Sequence, residues 1–146
     1  MSSGGVSPED IIPTQISLEG SDSGAHITSV GKLASHSQSS PFSLLYYNAR
    51  SLFPKMDCLH ALVSIHKPDA ICIVETWLCP DITAVEISLP GYSAVRLDRD
   101  RHGGGIILFV ADIYNVKVLQ QGPLDLEFLL VSVQCAQFKL SLAVLY

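Results

Sequence analysis

Two short runs of apolar residues constrain the fold of this chain most strongly. AICIV spans residues 70–74 and IILFVA spans residues 106–111, and neither run contains a charged side chain. Successive side chains of a strand point to opposite faces, so a strand that is apolar at every position needs cover on both faces. We therefore expect AICIV to be a central strand, and IILFVA to be another fully buried strand of the same kind of structure.

A helix is predicted between a first strand, FSLLYY at residues 42–47, and AICIV. Pro54 suits the first turn of a helix, and apolar spacings of three and four follow it from residue 56 to residue 66. Pro68 pushes the residue before it out of the helical region and so ends the helix. Gly103 to Gly105 indicate a tight turn into the next strand. Further strands are predicted near residues 92–96 and at residues 116–119, 128–133 and 138–146.

One helix followed by a run of strands argues against a doubly wound sheet with regularly alternating helices. The pattern favours an α/β fold, in which one main helix packs on a largely antiparallel or mixed sheet. The sequence stops at Tyr146, in or beside a strand and with no polar turn after it. The expected fold is therefore a truncated, layered α/β sandwich.

Composition divides the chain at residue 41. Residues 1–40 are rich in Ser and Gly and contain no Phe, Trp or Tyr. Such a segment cannot bury enough apolar surface to offset the entropy lost on ordering it. We expect residues 1–40 to be a disordered tail and residues 41–146 to form the folded domain.

The charge of the chain excludes a protein that holds DNA by charge alone. The formal net charge is −5, of which the first forty residues contribute −3 and the predicted domain −2. A strongly basic footprint is therefore missing. One local cluster mixes both signs, so it fits a phosphate contact or a solvated loop equally well. Its members are Arg96, Asp98, Arg99, Asp100, Arg101 and His102.

Cysteine spacing and hydropathy bear on the compartment. The four cysteines (58, 72, 79 and 135) show no C-x-x-C spacing and no histidine partner at zinc-site intervals. The chain begins without a basic stretch followed by an apolar one, as a secretory signal would have. Its longest apolar run is far too short to cross a bilayer. We expect a soluble intracellular protein, nuclear or cytoplasmic, that is neither secreted nor bound to a membrane.

Two polar residues directly follow apolar strands and are the candidates for chemistry. Asn48 follows FSLLYY, and Glu75 follows AICIV. Taken singly, Asn48 could form a local turn or bind a phosphate, and Glu75 could be a solvated acid or a cation ligand. If the two strands are neighbours, both side chains emerge at one sheet edge, which is a more specific sign of a binding site.

Four segments of the chain resemble motifs of the endonuclease–exonuclease–phosphatase superfamily. In chain order they are YYNARSL, KPDAICIVETWL, ISLPGYSAVRLDRDRHGGGIILFV and the terminal VLY. The resemblance runs from about Leu44 to Tyr146, and it is closer to the endonuclease domain that precedes the reverse transcriptase in non-LTR retrotransposons. It implies the N-terminal half of a four-layer α/β sandwich, DNA as the substrate of the parent protein, and a reverse transcriptase domain in the full-length parent.

The resemblance also implies roles for individual residues. The family's first-strand asparagine helps to organise the phosphate site, and Asn48 matches it. The glutamate of the family's E-T-W motif is a ligand of the catalytic Mg²⁺, a hard cation that needs only one or two carboxylates besides water and phosphate; Glu75 matches it. Tyr146 matches the tyrosine of the Y-R-P-P segment, which lies near the scissile phosphate. Arg50 matches the arginine that the retrotransposon branch commonly has at this position. Arg99 is a candidate substrate contact.

Two later motifs of the family, G-D-x-N and S-D-H, do not occur in this sequence. Without a His–Asp pair to deprotonate water, general-base catalysis is missing. We therefore interpret the chain as a fragment derived from a Mg²⁺-dependent endonuclease that nicks DNA, inactive as given. Two alternatives stay open: a non-catalytic remnant or interaction module, and a phosphatase of the same superfamily.

Overall fold

The computed structural model of the chain describes residues 11–14, 27–33, 41–99, 102–123 and 126–146. Within these ranges it contains nine strands in two sheets and one α-helix, preceded by a short 3-10 turn at Phe53–Lys55. In chain order the elements are β1 (Ile11–Thr14), β2 (Ile27–Leu33), β3 (Phe42–Asn48), α1 (Met56–His66), β4 (Ala70–Val74), β5 (Tyr92–Leu97), β6 (Ile106–Ala111), β7 (Asn115–Gln121), β8 (Phe128–Gln134) and β9 (Lys139–Leu145).

The larger sheet has six strands in the order β1-β2-β3-β4-β6-β5. β3 and β4 are parallel, with Leu44 opposite Ala70 and Asn48 opposite Val74. The other pairs of this sheet are antiparallel. Parallel pairing of consecutive strands needs a crossover, which α1 supplies. AICIV is therefore a central strand, β4, as predicted.

The predicted helix is confirmed. Pro54 lies in the 3-10 turn just before α1, where its missing N–H costs no helical hydrogen bond. At the other end, Lys67 adopts a φ of 43° and donates its backbone N–H to the Val63 carbonyl at 2.9 Å, directly before Pro68. His66 was expected on the apolar stripe but is exposed. The buried face of α1 consists of Met56, Leu59, Leu62 and Val63.

β4 and β6 separate two hydrophobic cores, because their side chains alternate between the two faces of the sheet. On one face, Ile73 and Phe109 pack with the buried side of α1 and with Leu78, Ile87 and Leu89 of the β4–β5 connection. On the other face, alternate residues of the same two strands pack against the smaller sheet: Ala70, Cys72, Val74, Ile106, Leu108 and Val110. This two-sided burial explains why both strands are apolar along their whole length.

The smaller sheet covers the second core. It is antiparallel, in the order β7-β8-β9, and β8 contributes fully buried Leu129, Val131 and Val133. Rings from three parts of the chain join the two sheets at one side, with centroids 5.4 to 5.9 Å apart: Phe42, Tyr114 and Phe138. Phe42 packs edge-to-face against Tyr114 and against Phe138, and each pair of this kind adds about 0.5–1.5 kcal/mol beyond the buried area.

The predicted fold class is confirmed: over the described residues the protein is a mixed α/β structure with two sheets and one main helix. Its layers are the helix, the six-stranded sheet and the three-stranded sheet. The strands predicted after residue 41 are all present. Within the described ranges, no helix is long and apolar enough to cross a membrane.

The predicted disordered tail over residues 1–40 falls mainly outside the described ranges. Two strands, β1 and β2, lie inside this stretch, and β2 pairs with β3 in antiparallel register. The extent of the tail, and the boundary at residue 41, remain predictions.

Candidate functional site

The ends of β3 and β4 form one edge of the larger sheet. Asn48 is the last residue of β3 and pairs in register with Val74, so Glu75 follows directly at the same edge. The backbone N–H of Ala49 donates to the Val74 carbonyl at 2.9 Å and extends the pairing past the end of β3. The carboxyl ends of neighbouring strands are where α/β sheets bind ligands. The backbone therefore places Asn48 and Glu75 together at this edge, as expected if the two strands are neighbours.

The two segments that leave this edge have unusual backbone conformations. Of the five non-glycine residues with positive φ in the described ranges, four lie here: Arg50, Ser51, Glu75 and Trp77. Each left-handed residue costs of the order of 1–3 kcal/mol, and such strain collects at functional sites. The segments are held side by side by hydrogen bonds of 2.9 Å from the N–H groups of Ser51 and Leu52 to the carbonyls of Glu75 and Thr76.

Lys55 forms hydrogen bonds with the segment that follows β3. Its Nζ donates to the carbonyl of Ala49 and, at 3.1 Å, to the carbonyl of Arg50. Partial burial, with the nearby charge of Arg50, lowers the pKa of the Lys55 amine. The first residues of the helical segment therefore hold the chain directly after Asn48.

Three donors converge on the Glu75 carboxylate. They are the hydroxyl of Tyr146, the indole Nε1 of Trp77 at 2.5 Å from Oε2, and the backbone N–H of Gly104. Led by Tyr146, these hydrogen bonds outweigh partial burial and hold the pKa of Glu75 below its ordinary value, with a further contribution from the charge of Arg50. Glu75 is therefore ionised at neutral pH, as a cation ligand must be.

Tyr146 is brought to Glu75 by its own backbone. Its N–H donates to the Glu127 carbonyl at 2.9 Å, which continues the pairing of β9 with the start of β8. The hydrogen bond to Glu75, followed by burial and by the charges of Glu75 and Glu127, raises the pKa of the Tyr146 phenol. The phenol is therefore a neutral hydrogen-bond donor, and Tyr146 as a whole residue remains 49% exposed.

The side-chain oxygen of Asn48 is buried and has no hydrogen-bond partner. Among the buried side-chain nitrogen and oxygen atoms of the described ranges, Oδ1 of Asn48 is the one without a partner. Most buried polar groups in proteins are paired, and an exception calls for a specific explanation such as a bound ion or water. This oxygen is therefore available to a ligand at the edge where Glu75 lies.

The triple glycine forms one wall of the site. Gly104 and Gly105 have φ values of 72° and 87°, and their carbonyls accept the N–H groups of Trp77 and Thr76 at 3.0 and 3.3 Å. A Cβ at Gly104 would overlap the Glu127 carboxylate, and a Cβ at Gly105 would overlap Oγ1 of Thr76. Both positions need glycine for conformation and for space. The expected turn into β6 thus also contacts Glu75, through the N–H of Gly104.

Sequence reasoning missed Glu127. This residue is 4% exposed, directly precedes β8, and accepts hydrogen bonds from the Gly105 N–H at 2.7 Å and from Arg99 Nη1 at 2.9 Å. The available signal was its position: like Glu75, it is an acid that adjoins an apolar strand. Its partner, Gly105, lies 22 residues away in the sequence, so local patterns could not reveal the contact.

Two arginines of the basic cluster form ion pairs within the protein. Arg96 pairs with Asp98 at 2.5 Å and also donates to the carbonyls of Cys79 and Ile82. Arg99, which was a candidate substrate contact, pairs with Glu127 and keeps 53% of its side chain exposed. Asp100 and Arg101 lie outside the described residues. A structural role for Arg96 is thus established, and a substrate role for Arg99 remains a proposal.

The oxygen donors at this edge are few but suit the Mg²⁺ that the resemblance implies. Across the described ranges, no group of three or more His, Cys, Asp or Glu side chains could hold a metal ion. The donors that do lie here are the ionised Glu75 carboxylate, which can accept more hydrogen bonds or ligands than its three donors use, and the unpaired oxygen of Asn48. A hard cation that keeps several waters fits such a sparse oxygen set.

Comparison with known proteins identifies the fold. No protein-family model matches the chain, and no curated protein sequence matches it. Among solved structures, it is similar to an AP endonuclease from Leishmania major, with a TM-score of 0.59 and 18% sequence identity over 70% of this chain. The match covers 39% of the length of that enzyme. The neighbour has the endonuclease/exonuclease/phosphatase-like fold, and at this identity the likeness shows the fold alone.

Proposed function

We propose that the chain is part of a divalent-metal-dependent DNA endonuclease, and that Asn48, Glu75 and Tyr146 are the residues it contributes to the active site. The observation that carries this proposal is the unpaired, buried Oδ1 of Asn48, at the edge where the carboxylate of Glu75 is held ionised. The likeness in fold to an AP endonuclease supports it.

The proposal extends to the non-LTR retrotransposon type of endonuclease, with a reverse transcriptase domain in the full-length parent. This finer assignment rests on the motifs: Arg50 after the first strand, the E-T-W segment at Glu75, and the triple glycine before β6. The fold by itself hosts several reactions and does not choose among them.

Each residue has a distinct role in this proposal. Glu75 would hold Mg²⁺, and Asn48 would use its free oxygen and its amide to orient water or a phosphate oxygen. Tyr146, as a neutral phenol, would donate a hydrogen bond at the rim of the site. When bound, Mg²⁺ supplies charge neutralisation at the attacked phosphate and stabilisation of the departing oxygen.

Residues 1–146 alone are proposed to be inactive. The sequence contains neither G-D-x-N nor S-D-H, so the described edge lacks a general base. His60 and His66 belong to α1, and His102 belongs to the loop before the triple glycine. We expect this chain to hold metal and phosphate without activating water.

Plasmid nicking tests this proposal. Purified residues 1–146 with Mg²⁺ should leave supercoiled plasmid intact, whereas a longer chain, read from the transcript past Tyr146 and carrying G-D-x-N and S-D-H, should nick it. Glu75→Gln should slow the longer chain by about 10²-fold or more, as expected when a group that stabilises transition-state charge is lost. Glu86→Gln is the matched control, because this exposed carboxylate accepts hydrogen bonds from Thr83, outside the site.

Three results would count against parts of the account. Nicking by residues 1–146 that disappears in Glu75→Gln would overturn the expected inactivity. Nicking by the longer chain that is indifferent to Glu75→Gln would overturn the site itself. Release of inositol phosphates in preference to nicking would favour the phosphatase alternative.

A further inference from the structure

We propose that Glu127 is a positioning residue, which fixes two of the three groups that donate hydrogen bonds to Glu75. This inference rests on the proposed function in one respect: it takes Glu75 to be a cation ligand. The hydrogen bonds of Glu127 connect the glycine turn, the end of β9 and the start of β8 around that ligand.

The Glu127 carboxylate holds the glycine turn. Oε2 accepts the N–H of Gly105 at 2.7 Å, and Oε1 accepts Nη1 of Arg99 at 2.9 Å. The neighbouring residue, Gly104, donates its own N–H to Glu75. Because a Cβ at Gly104 would overlap the Glu127 carboxylate, the turn and the acid are in close contact. The carboxylate therefore sets where the Gly104 N–H points.

The Glu127 backbone holds the second donor. Its carbonyl accepts the N–H of Tyr146 at 2.9 Å, and the Tyr146 hydroxyl donates to Glu75. The third donor, the indole of Trp77, is tied indirectly to the same turn, because the Trp77 N–H donates to the Gly104 carbonyl at 3.0 Å. One buried residue thus anchors the surroundings of Glu75 through both its side chain and its main chain.

The contacts require a carboxylate at position 127. An ionised carboxylate has acceptors on both oxygens, which suits one donor on each side, here an amide N–H and a guanidinium. A glutamine would turn an NH₂ group towards one of these donors. Since the Glu127 side chain is only 5% exposed, water could not readily repair the mismatch, and the turn would have to shift.

The test uses Glu127→Gln in residues 1–146, with Asp69→Asn as the matched control. The Asp69 carboxylate is also partly buried and accepts hydrogen bonds from Ser43 and Tyr114, but it precedes β4 at the opposite edge of the sheet. In Glu127→Gln, we expect hydrogen exchange at the Gly104 amide to speed up by about tenfold or more, matching the loss of a hydrogen bond to a charged group. The indole resonance of Trp77 should also shift, and Mn²⁺, used as the probe cation, should bind several-fold more weakly.

Asp69→Asn should lower the free energy of unfolding without these local changes. The proposal is overturned if Glu127→Gln destabilises the protein as the control does but leaves the Gly104 and Trp77 signals where they were. If Glu127→Gln does not fold, Arg99→Gln replaces it, with smaller changes of the same kind expected and unchanged signals again overturning the proposal. Should Glu75→Gln leave Mn²⁺ binding intact while Glu127→Gln still moves both signals, the positioning role stands and the proposed function fails.

Discussion

Asn48 and Glu75 lie at one sheet edge but differ in their hydrogen bonding. Glu75 receives three hydrogen bonds and is held in its charged form. Oδ1 of Asn48 is buried without a partner. Desolvating such an atom costs about 1–3 kcal/mol, and no hydrogen bond in the folded chain offsets this cost. A residue that lowers stability in this way is typical of a site that is completed by a ligand.

Replacing Asn48 by an apolar residue of similar size should therefore not harm the fold. For Asn48→Leu, we expect the free energy of unfolding to stay the same or rise by about 1 kcal/mol, because a desolvated oxygen without a partner is removed. The same variant should weaken the binding of Mn²⁺. Urea unfolding followed by circular dichroism checks the first expectation, and a drop of more than about 2 kcal/mol would mean that the amide holds the structure together.

At the scale of the elements, the parallel pair β3–β4 matters most, because it places two strand ends and two strained segments side by side. β4 serves both cores, and its central residue, Cys72, lies between the sheets beside a cavity of about 170 Å³. Burial raises the pKa of the Cys72 thiol from 9.0 to about 12. The folded strand therefore keeps the proton that an unfolded chain would release above pH 9.

This difference makes the contribution of Cys72 to stability dependent on pH. The folded pKa is the higher one, so the contribution is complete below pH 9 and is lost as the pH rises from 9 towards 12. The free energy of unfolding of the wild type, relative to Cys72→Ala, should fall across that window in urea titrations. Iodoacetamide at pH 8 should modify exposed Cys58 and spare Cys72, and equal labelling of both thiols in the native protein would contradict the packing of β4.

For the whole molecule, the sequence predicted the elements better than their arrangement. Continuous apolar runs identified most of the strands after residue 41, and apolar spacings of three and four identified the helix, because both patterns record which side chains face a core. The separation into two sheets, and the place of β5 beyond β6, depend on contacts between distant residues that no local pattern contains. Asn48 and Glu75 were found because each directly follows an apolar strand.

The rest of the site was harder to predict because it, too, depends on contacts between residues that are distant in the sequence. Glu75 is surrounded by residues from the β4–β5 connection, the glycine turn and the end of β9. Tyr146 was expected near the site only through its resemblance to a family motif. Glu127 was not considered, since its significance lies in a hydrogen bond to Gly105 across two sheets. A site assembled from four segments becomes visible only when the chain is folded.

The most direct test of the central claim is to locate a bound cation in the folded chain. The chain contains a single tryptophan, and the indole of Trp77 donates to the Glu75 carboxylate, so its N–H resonance reports on this site. We predict that Mn²⁺ selectively broadens this resonance, that Mg²⁺ reverses the effect, and that Glu75→Gln abolishes it while Glu86→Gln does not. A Trp77 resonance that is unaffected by Mn²⁺, or that broadens equally in Glu75→Gln, would contradict the claim that Asn48 and Glu75 share a cation site.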